Sequence, residues 1–123
     1  MKMKKILLID DDDTFTWCMK VYLDKRGYHA ETASTVAEAK DILKQIIPLY
    51  VCSDIKLPDG SGLELLDIVR ADYPDVPFLI ASCLEKEDYE QEAIKRGATL
   101  CIDKMKTDLV QNKLLEYAHQ GMP

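Results

Sequence analysis

The chain has no C-x-x-C pair among its four cysteines, Cys18, Cys52, Cys83 and Cys101, and this spacing excludes the usual zinc and redox motifs. Free thiols so scattered read as inert packing residues, small buried hydrophobes. Only two histidines are present, His29 and His119, and neither has the neighbours of a metal or nucleophile site, so both read as structural or solvated. Long apolar runs are missing as well. The longest, such as Ile6-Leu7-Leu8-Ile9, fall far short of the roughly 20 residues a membrane span requires, and the lysine-rich start is not followed by a signal-type apolar region. A cytoplasmic location and no membrane partner are expected. Positive charge is in deficit, with 16 Lys and Arg against 22 Asp and Glu for a net charge of −6. That balance opposes nonspecific attraction to phosphate backbones, so nucleic acid is not an expected direct partner.

What is present suits one soluble domain. A chain of 123 residues with 47% hydrophobic and 31% charged residues can bury one ordinary core without disulfide or metal staples. Repeats, low-complexity tracts and internal linkers are absent. A domain over residues 1–120 is expected, with 121–123 as a tail or the start of a truncated linker.

Five short apolar runs alternate with longer amphipathic segments, at about Lys5–Ile9, His29–Thr32, Leu49–Ser53, Pro77–Ala81 and Thr99–Ile102. These are the predicted strands. The first helix carries Phe15, Cys18, Met19, Tyr22 and Leu23 on one face and ends near Gly27. The second opens with Thr35 and Glu38 in capping-box spacing and buries Val36, Ala39, Ile42 and Leu43, with Pro48 barring further helix. A third runs from about Leu63 to before Pro74. The fourth, about Lys86–Arg96, is mostly charged and reads as the least firmly anchored; the fifth starts after Thr107, a plausible N-cap. Such alternation implies right-handed βαβ units, hence a mainly parallel sheet with helices on both faces. In such a sheet ligands bind beyond the carboxyl ends of the strands.

Those ends carry an acidic and hydroxyl set. The first strand is followed by Asp10, Asp11, Asp12 and Asp13, the third by Asp54, the fourth by Ser82, and the fifth by Asp103 and Lys104. Convergence of Asp10, Asp11 and Asp54 would cost about 4 kcal/mol per pair at ~4 Å and an effective dielectric near 20. Positive charge must offset it. An oxygen-seeking divalent cation, Mg²⁺ above all, meets that need through carboxylates, a backbone carbonyl and retained waters, and Lys104 supplies a second charge. A metal ion and a lysine around one carboxylate suit phosphoryl transfer, with Asp54 as the nucleophile and Ser82 as a hydrogen-bonding group. Taken singly, Asp12 and Asp13 read as helix caps, Ser82 as a loop residue, Lys104 as a surface lysine, and Pro58-Asp59-Gly60-Ser61-Gly62 as a turn.

The set Ile6-Leu7-Leu8-Ile9-Asp10-Asp11, Ser53-Asp54-Ile55-Lys56-Leu57-Pro58, Gly62-Leu63-Glu64-Leu65-Leu66, Ala81-Ser82, Gly97-Ala98 and Lys104 resembles the receiver domain of two-component response regulators, over essentially the whole chain. The resemblance implies a flavodoxin-like (βα)5 doubly wound fold with strand order 2-1-3-4-5. It further implies that Asp10, Asp11, Asp54 and the carbonyl of Lys56 hold Mg²⁺. Asp54 would accept a phosphoryl group from a sensor histidine kinase or histidine phosphotransfer protein, with Ser82 and Lys104 contacting that group. Such a domain is not an enzyme beyond self-catalysed phosphorylation and dephosphorylation. Its output domain or downstream protein would be engaged through helix 4, strand 5 and helix 5, with Ser82 and an aromatic on strand five as the switch.

Two positions depart from the pattern. Cys101 stands at the aromatic switch position, and Met105 replaces the proline that usually follows the lysine; a cis Lys104-Met105 bond would cost about 2.5–4 kcal/mol, so a trans bond is expected. Leu84 offers a hydrolytic water no hydrogen bond, which implies a long-lived phosphoryl group. Two rivals remain on the sequence alone. In one, Asp10-x-Asp12-x-Thr14 resembles the first motif of haloacid dehalogenase-type phosphatases, with Asp10 as nucleophile and Asp12 as general acid. The other is a receiver-like binding module that is not phosphorylated. Trp17 falls outside the apolar stripe of the first helix and reads as a partly exposed packing residue.

Overall fold

In the computed structural model, which describes residues 1–121, five parallel strands form one sheet. They are β1 (Met3–Ile9), β2 (Ala30–Ala33), β3 (Ile46–Ser53), β4 (Phe78–Ser82) and β5 (Leu100–Asp103), in the order 2-1-3-4-5 expected from the resemblance. Because side chains alternate along a strand, each buried strand feeds two cores. Leu7, Ile9, Val51, Phe78, Ile80 and Cys101 face one side. Ile6, Leu8, Tyr50, Cys52, Leu79, Ala81 and Ile102 face the other.

The helices divide between the two cores. On the first side lie α2 (Val36–Leu43), α3 (Gly62–Asp72) and α4 (Glu90–Lys95), through Val36, Ala39, Leu65, Leu66, Val69 and Ala93. On the second lie α1 (Asp13–Asp24) and α5 (Thr107–Gly121), through Met19, Leu23, Val110, Leu114 and Ala118. Across that side the Tyr50 hydroxyl, fully buried, donates to the carbonyl of Leu114 at 2.7 Å and pins α5 to β3.

Several boundaries differ from the sequence reading, each for a local reason. β2 starts at Ala30, not His29, and ends at Ala33, whose carbonyl accepts from Asp10 N–H at 3.0 Å. β3 starts at Ile46 and runs through Pro48, so proline does not lie ahead of the strand. It is tolerated because it stands opposite Lys5, where the β1–β3 register shifts, and before the pairing with β4 begins at Val51. β1 begins two residues earlier than predicted, at Met3, and β4 is shifted by one residue to Phe78–Ser82. β5 is shifted too, to Leu100–Asp103. Thr99 is left outside it, its hydroxyl accepting from Phe78 N–H at 3.0 Å.

The predicted fourth helix is two pieces. A 3-10 turn (Lys86–Asp88) precedes α4, and Tyr89, at φ −143°, separates them. Thr107 is the first residue of α5 and not its cap, and Gly121 belongs to that helix and not to a tail; residues 122 and 123 lie outside the described residues. On α1 the buried set is Thr16, Met19 and Leu23, while Cys18 is exposed. Trp17 is 64% exposed, so it packs little against anything.

Replacing Tyr50 with Phe tests the tie between α5 and β3. Loss of one buried hydrogen bond should lower unfolding free energy by about 1 kcal/mol in urea titrations, with an unchanged denaturant slope.

Candidate functional site

Parallel register sets the site. Ile9 stands opposite Ser53, and Asp54 N–H donates to the carbonyl of Ile9 at 2.9 Å, so Asp10 and Asp54 leave adjacent strands at one level. Ser82 pairs with Asp103, and Lys104 N–H donates to the carbonyl of Ser82 at 3.0 Å, which brings the lysine to the same edge. Asp10, Asp11, Asp54, Ser82 and Lys104 are therefore brought together as expected.

Lys104 Nζ lies 3.0 Å from Asp10 Oδ1, 2.9 Å from Asp10 Oδ2, 3.7 Å from Asp54 Oδ2 and 3.9 Å from Asp12 Oδ2. Its ammonium also sits 5.0 Å from the centre of the Phe15 ring, a cation–π contact. On the apolar face of the first helix Phe15 is expected only to pack. Asp10 is buried, and burial is the main reason its carboxyl is held above its ordinary range, with the Asp54 charge adding to it against the pull of the Asp12 amide and Lys104. Burial alone would lower the Lys104 ammonium, but the hydrogen bond and charge of Asp10, with Asp54 and Asp12, raise it overall. Lys104 is thus a fixed cation.

The two oxygens of each carboxylate differ in their surroundings. Asp10 Oδ1 accepts from Asp12 N–H at 2.9 Å and from Lys104, while the buried Oδ2 has the ammonium beside it but no hydrogen bond in a favourable direction. Asp54 Oδ1 accepts from Ile55 N–H at 2.7 Å, which leaves Oδ2 as the oxygen nearer Lys104. Asp10, Asp11 and Asp54 each offer a carboxylate oxygen within 4.8 Å of the others, a donor set suited to a hard, oxygen-seeking cation. The orphaned Asp10 Oδ2 fits such an ion. Lys56 opens a two-residue strand that pairs with Gly60-Ser61, and with Asp54, Ser82, Cys83 and Leu84 it lines a cavity of about 140 Å³. Ser82 is buried, its hydroxyl accepting from Leu84 N–H at 3.1 Å.

Residues read as turn formers hold the loop after Asp54. The Asp59 carboxylate accepts from Val36 N–H at 2.7 Å and Ala37 N–H at 3.0 Å, capping α2 from outside its own chain segment. Those two backbone bonds hold its carboxyl below the ordinary range. Thr35 and Glu38 also cap α2, the carboxylate of Glu38 reaching back to Ser34. At Gly62 a Cβ would lie 2.0 Å from the carbonyl oxygen of Asp54, so only glycine lets α3 begin so close to the acceptor. Asp12 is the α1 cap, accepting from Phe15 N–H at 3.1 Å, whereas Asp13 is the first helical residue.

The thiols divide in two. Cys52 and Cys101 are buried, their thiols pushed up to about 12 and about 11 by burial first, and for Cys52 by the charges of Asp10 and Asp54 next. Cys18 and Cys83 are exposed, so the reading of all four as packing thiols is corrected for those two. His119 accepts or donates with the Tyr28 hydroxyl at 2.8 Å, away from the acidic set, as a structural residue should.

A doubly wound sheet with carboxylates and a lysine converging on its carboxyl edge defines a receiver-type domain. The response regulator receiver domain model matches residues 6–115, and the chain belongs to that family. It is 34% identical over 96 residues to the photosynthetic apparatus regulatory protein RegA of Cereibacter sphaeroides, covering 78% of this chain and 52% of that protein. With the response regulator protein PilR of Pseudomonas aeruginosa it shares 29% identity over 80% of this chain and 22% of that one. The chain thus spans about half the length of RegA. Among solved structures, a CheY-like response regulator receiver domain protein of Methanospirillum hungatei superposes with a TM-score of 0.84 at 26% identity, covering 98% of this chain and 96% of that one. The NtrX receiver domain of Brucella abortus gives 0.82 at 26% identity, over 94% and 98%. The chain is a receiver domain of the two-component response regulators, proteins of phosphorelay signalling. The phosphatase reading of Asp10 and Asp12 falls with this assignment.

The raised carboxyl of Asp10 gives a signed expectation. Its folded value lies above the unfolded 3.8, so the stability it contributes is present below that value and is lost as pH rises through the folded one. Without divalent cations, Asp10→Asn should therefore unfold at higher denaturant than wild type at neutral pH and lose that slope. Millimolar Mg²⁺ should stabilise wild type and leave the variant unmoved.

Proposed function

We propose that Asp54 accepts a phosphoryl group from the phosphohistidine of a sensor kinase or histidine phosphotransfer partner, in a Mg²⁺-dependent reaction. The observation that carries this is the meeting of Asp10, Asp11 and Asp54 within one ligand-sized sphere with Lys104 against it. Asp54 Oδ1 is held by Ile55 N–H, which leaves Oδ2 free to attack phosphorus while the phosphorus–nitrogen bond of the donor breaks and its imidazole leaves with a proton. Lys104 takes up charge on the phosphoryl oxygens, and the buried Ser82 hydroxyl donates to one of them. Asp10, Asp11, Asp54 and the carbonyl of Lys56 would hold the ion, which neutralises charge as the phosphoryl group transfers.

The domain proposed comprises residues 1–120 and acts in the cytoplasm as a regulator, with at most self-catalysed phosphorylation and dephosphorylation. No helix among the described residues is long and apolar enough to cross a membrane. Its output is a protein, either an attached domain or a separate partner engaged through α4, β5 and α5. Ile94, Met105 and Leu109 are exposed there. Neither nucleic acid nor a membrane is contacted directly, in keeping with the net charge of −6.

Intact mass after incubation with acetyl phosphate tests the reading. Wild type should gain one phosphoryl group only with Mg²⁺, and Asp54→Asn should gain none; a folded wild type that stays unlabelled would leave an unphosphorylated binding module. The wall of the small cavity beside Asp54 supplies a second expectation, since Leu84 offers an attacking water no hydrogen bond. Leu84→Asn should shorten the phosphoryl lifetime several-fold, read as the decay of the labelled mass.

A further inference from the structure

Tyr89 is 5% exposed, yet its hydroxyl has no hydrogen-bond partner among the described residues. A phenol seldom enters a core without one, because an unpaired buried hydroxyl forfeits its hydration. The ring packs in the same apolar cluster as Ile80, Ala93 and Cys101, with Leu84 at its margin. Cys101 is small and carries no ring, and Tyr89 lies buried in the same cluster, ahead of α4. Burial first, then the neighbouring Cys101 and the charges of Glu90, Asp54 and Asp103, push the phenol up to about 12. The hydroxyl therefore stays protonated and remains a donor in want of an acceptor.

Its place in the chain matters as much as its burial. Tyr89 lies between the 3-10 turn and α4, with no side-chain cap on either element. Cys83, Glu85, Lys86, Glu87 and Asp88 before it are all exposed, so its ring is the principal apolar anchor of the segment that follows Ser82. Ser82 lines the cavity with Asp54 and is tied through its hydroxyl to Leu84 N–H. A shift of Ser82 toward a group on Asp54 would pull on Leu84 and, through the exposed turn, on Tyr89.

We propose that Tyr89 reads out the state of Asp54. Its hydroxyl, unpartnered in this structure, gains an acceptor when Ser82 and residues 83–88 move toward the phosphoryl group, and its ring carries the start of α4 with it. The device rests on the phosphoacceptor reading of Asp54, and its location just before α4 replaces the expected switch role of residue 101, where a thiol has no ring to turn.

The test compares wild type and Tyr89→Phe, which keeps the ring and removes only the hydroxyl. Labelling by acetyl phosphate is followed by intact mass, and thermal midpoints are taken with Mg²⁺ alone and with Mg²⁺ plus beryllofluoride, a stable mimic of the phosphoryl group. Both proteins should be labelled equally. The resting midpoint of Tyr89→Phe should equal or exceed that of wild type, while its gain with beryllofluoride should fall to about half or less. In 3-fluorotyrosine protein, the fluorine resonance that disappears in Tyr89→Phe should shift in wild type on adding beryllofluoride. Equal gains in both proteins with an unmoved resonance would reduce Tyr89 to a packing residue and overturn the proposal while the acceptor reading stands. An unlabelled wild type would overturn both.

Discussion

Two carboxylates that leave neighbouring parallel strands at the same level repel one another, and the pairing of Ile9 with Ser53 forces Asp10 and Asp54 into that relation. Asp11 joins them within one sphere, and Asp12 lies at its edge. At an effective dielectric near 20 each close pair is worth about 4 kcal/mol of repulsion at ~4 Å. One ammonium cannot balance that. Lys104 satisfies Asp10 first, at 2.9 Å and 3.0 Å, and stands off from Asp54 at 3.7 Å. The remaining negative charge, with Asp10 Oδ2 lacking a hydrogen bond, makes the edge suited to a hard divalent cation.

The surroundings of this edge are not equally rigid. The loop after Asp54 is fixed twice, by Asp59 on the first amides of α2 and by the close start of α3 at Gly62. Behind it Arg70 donates to the carbonyls of Gly97, Tyr73 and Val76, and Arg96 reaches the carboxylate of Asp67 and the carbonyl of Leu63. These bonds bind α3 to the end of α4. Gly97, at φ +107°, allows the turn that makes the Arg70 contact. Among the described residues the start of α4 has no such ties, and the buried residues there are Tyr89, just before the helix, and Ala93 within it. The start of α4 is therefore the less tied side of this edge, while the loop after Asp54 is held at both ends.

Most of this edge was legible because strand-end residues follow from alternation alone. Asp10, Asp11, Asp54, Ser82 and Lys104 needed only five strands and a parallel sheet. Strand limits were less legible. Pro48 and Thr99 have local propensities that tertiary pairing overrode, and the long-range register that admits them has no local signal. Phe15, Asp59 and Tyr89 were hidden for the same reason: one covers a lysine 89 positions on, one caps a helix whose first residues lie 22 and 23 positions before it, and one is buried in a segment that is otherwise mostly charged. Cys18 failed in the other direction, sitting on the stripe of α1 but outside the zone that the sheet covers.

The loss of proline after Lys104 shows how a local substitution can be absorbed. Proline would fix its own φ but offer no amide hydrogen. Met105 has one, and it donates to Asp103 Oδ1 at 2.9 Å, while Lys106 N–H donates to the Asp103 carbonyl at 3.0 Å. The turn is closed by an aspartate side chain in the manner of an Asx-turn, and the peptide bonds of the described residues are all trans, as the sequence implied for Lys104-Met105. With Lys104 N–H already held by Ser82, the lysine is gripped on both sides along the backbone. Its ammonium reaches Asp10 without the ring constraint, so Asp103, which looked like one more strand-end acid, is what lets Met105 stand there.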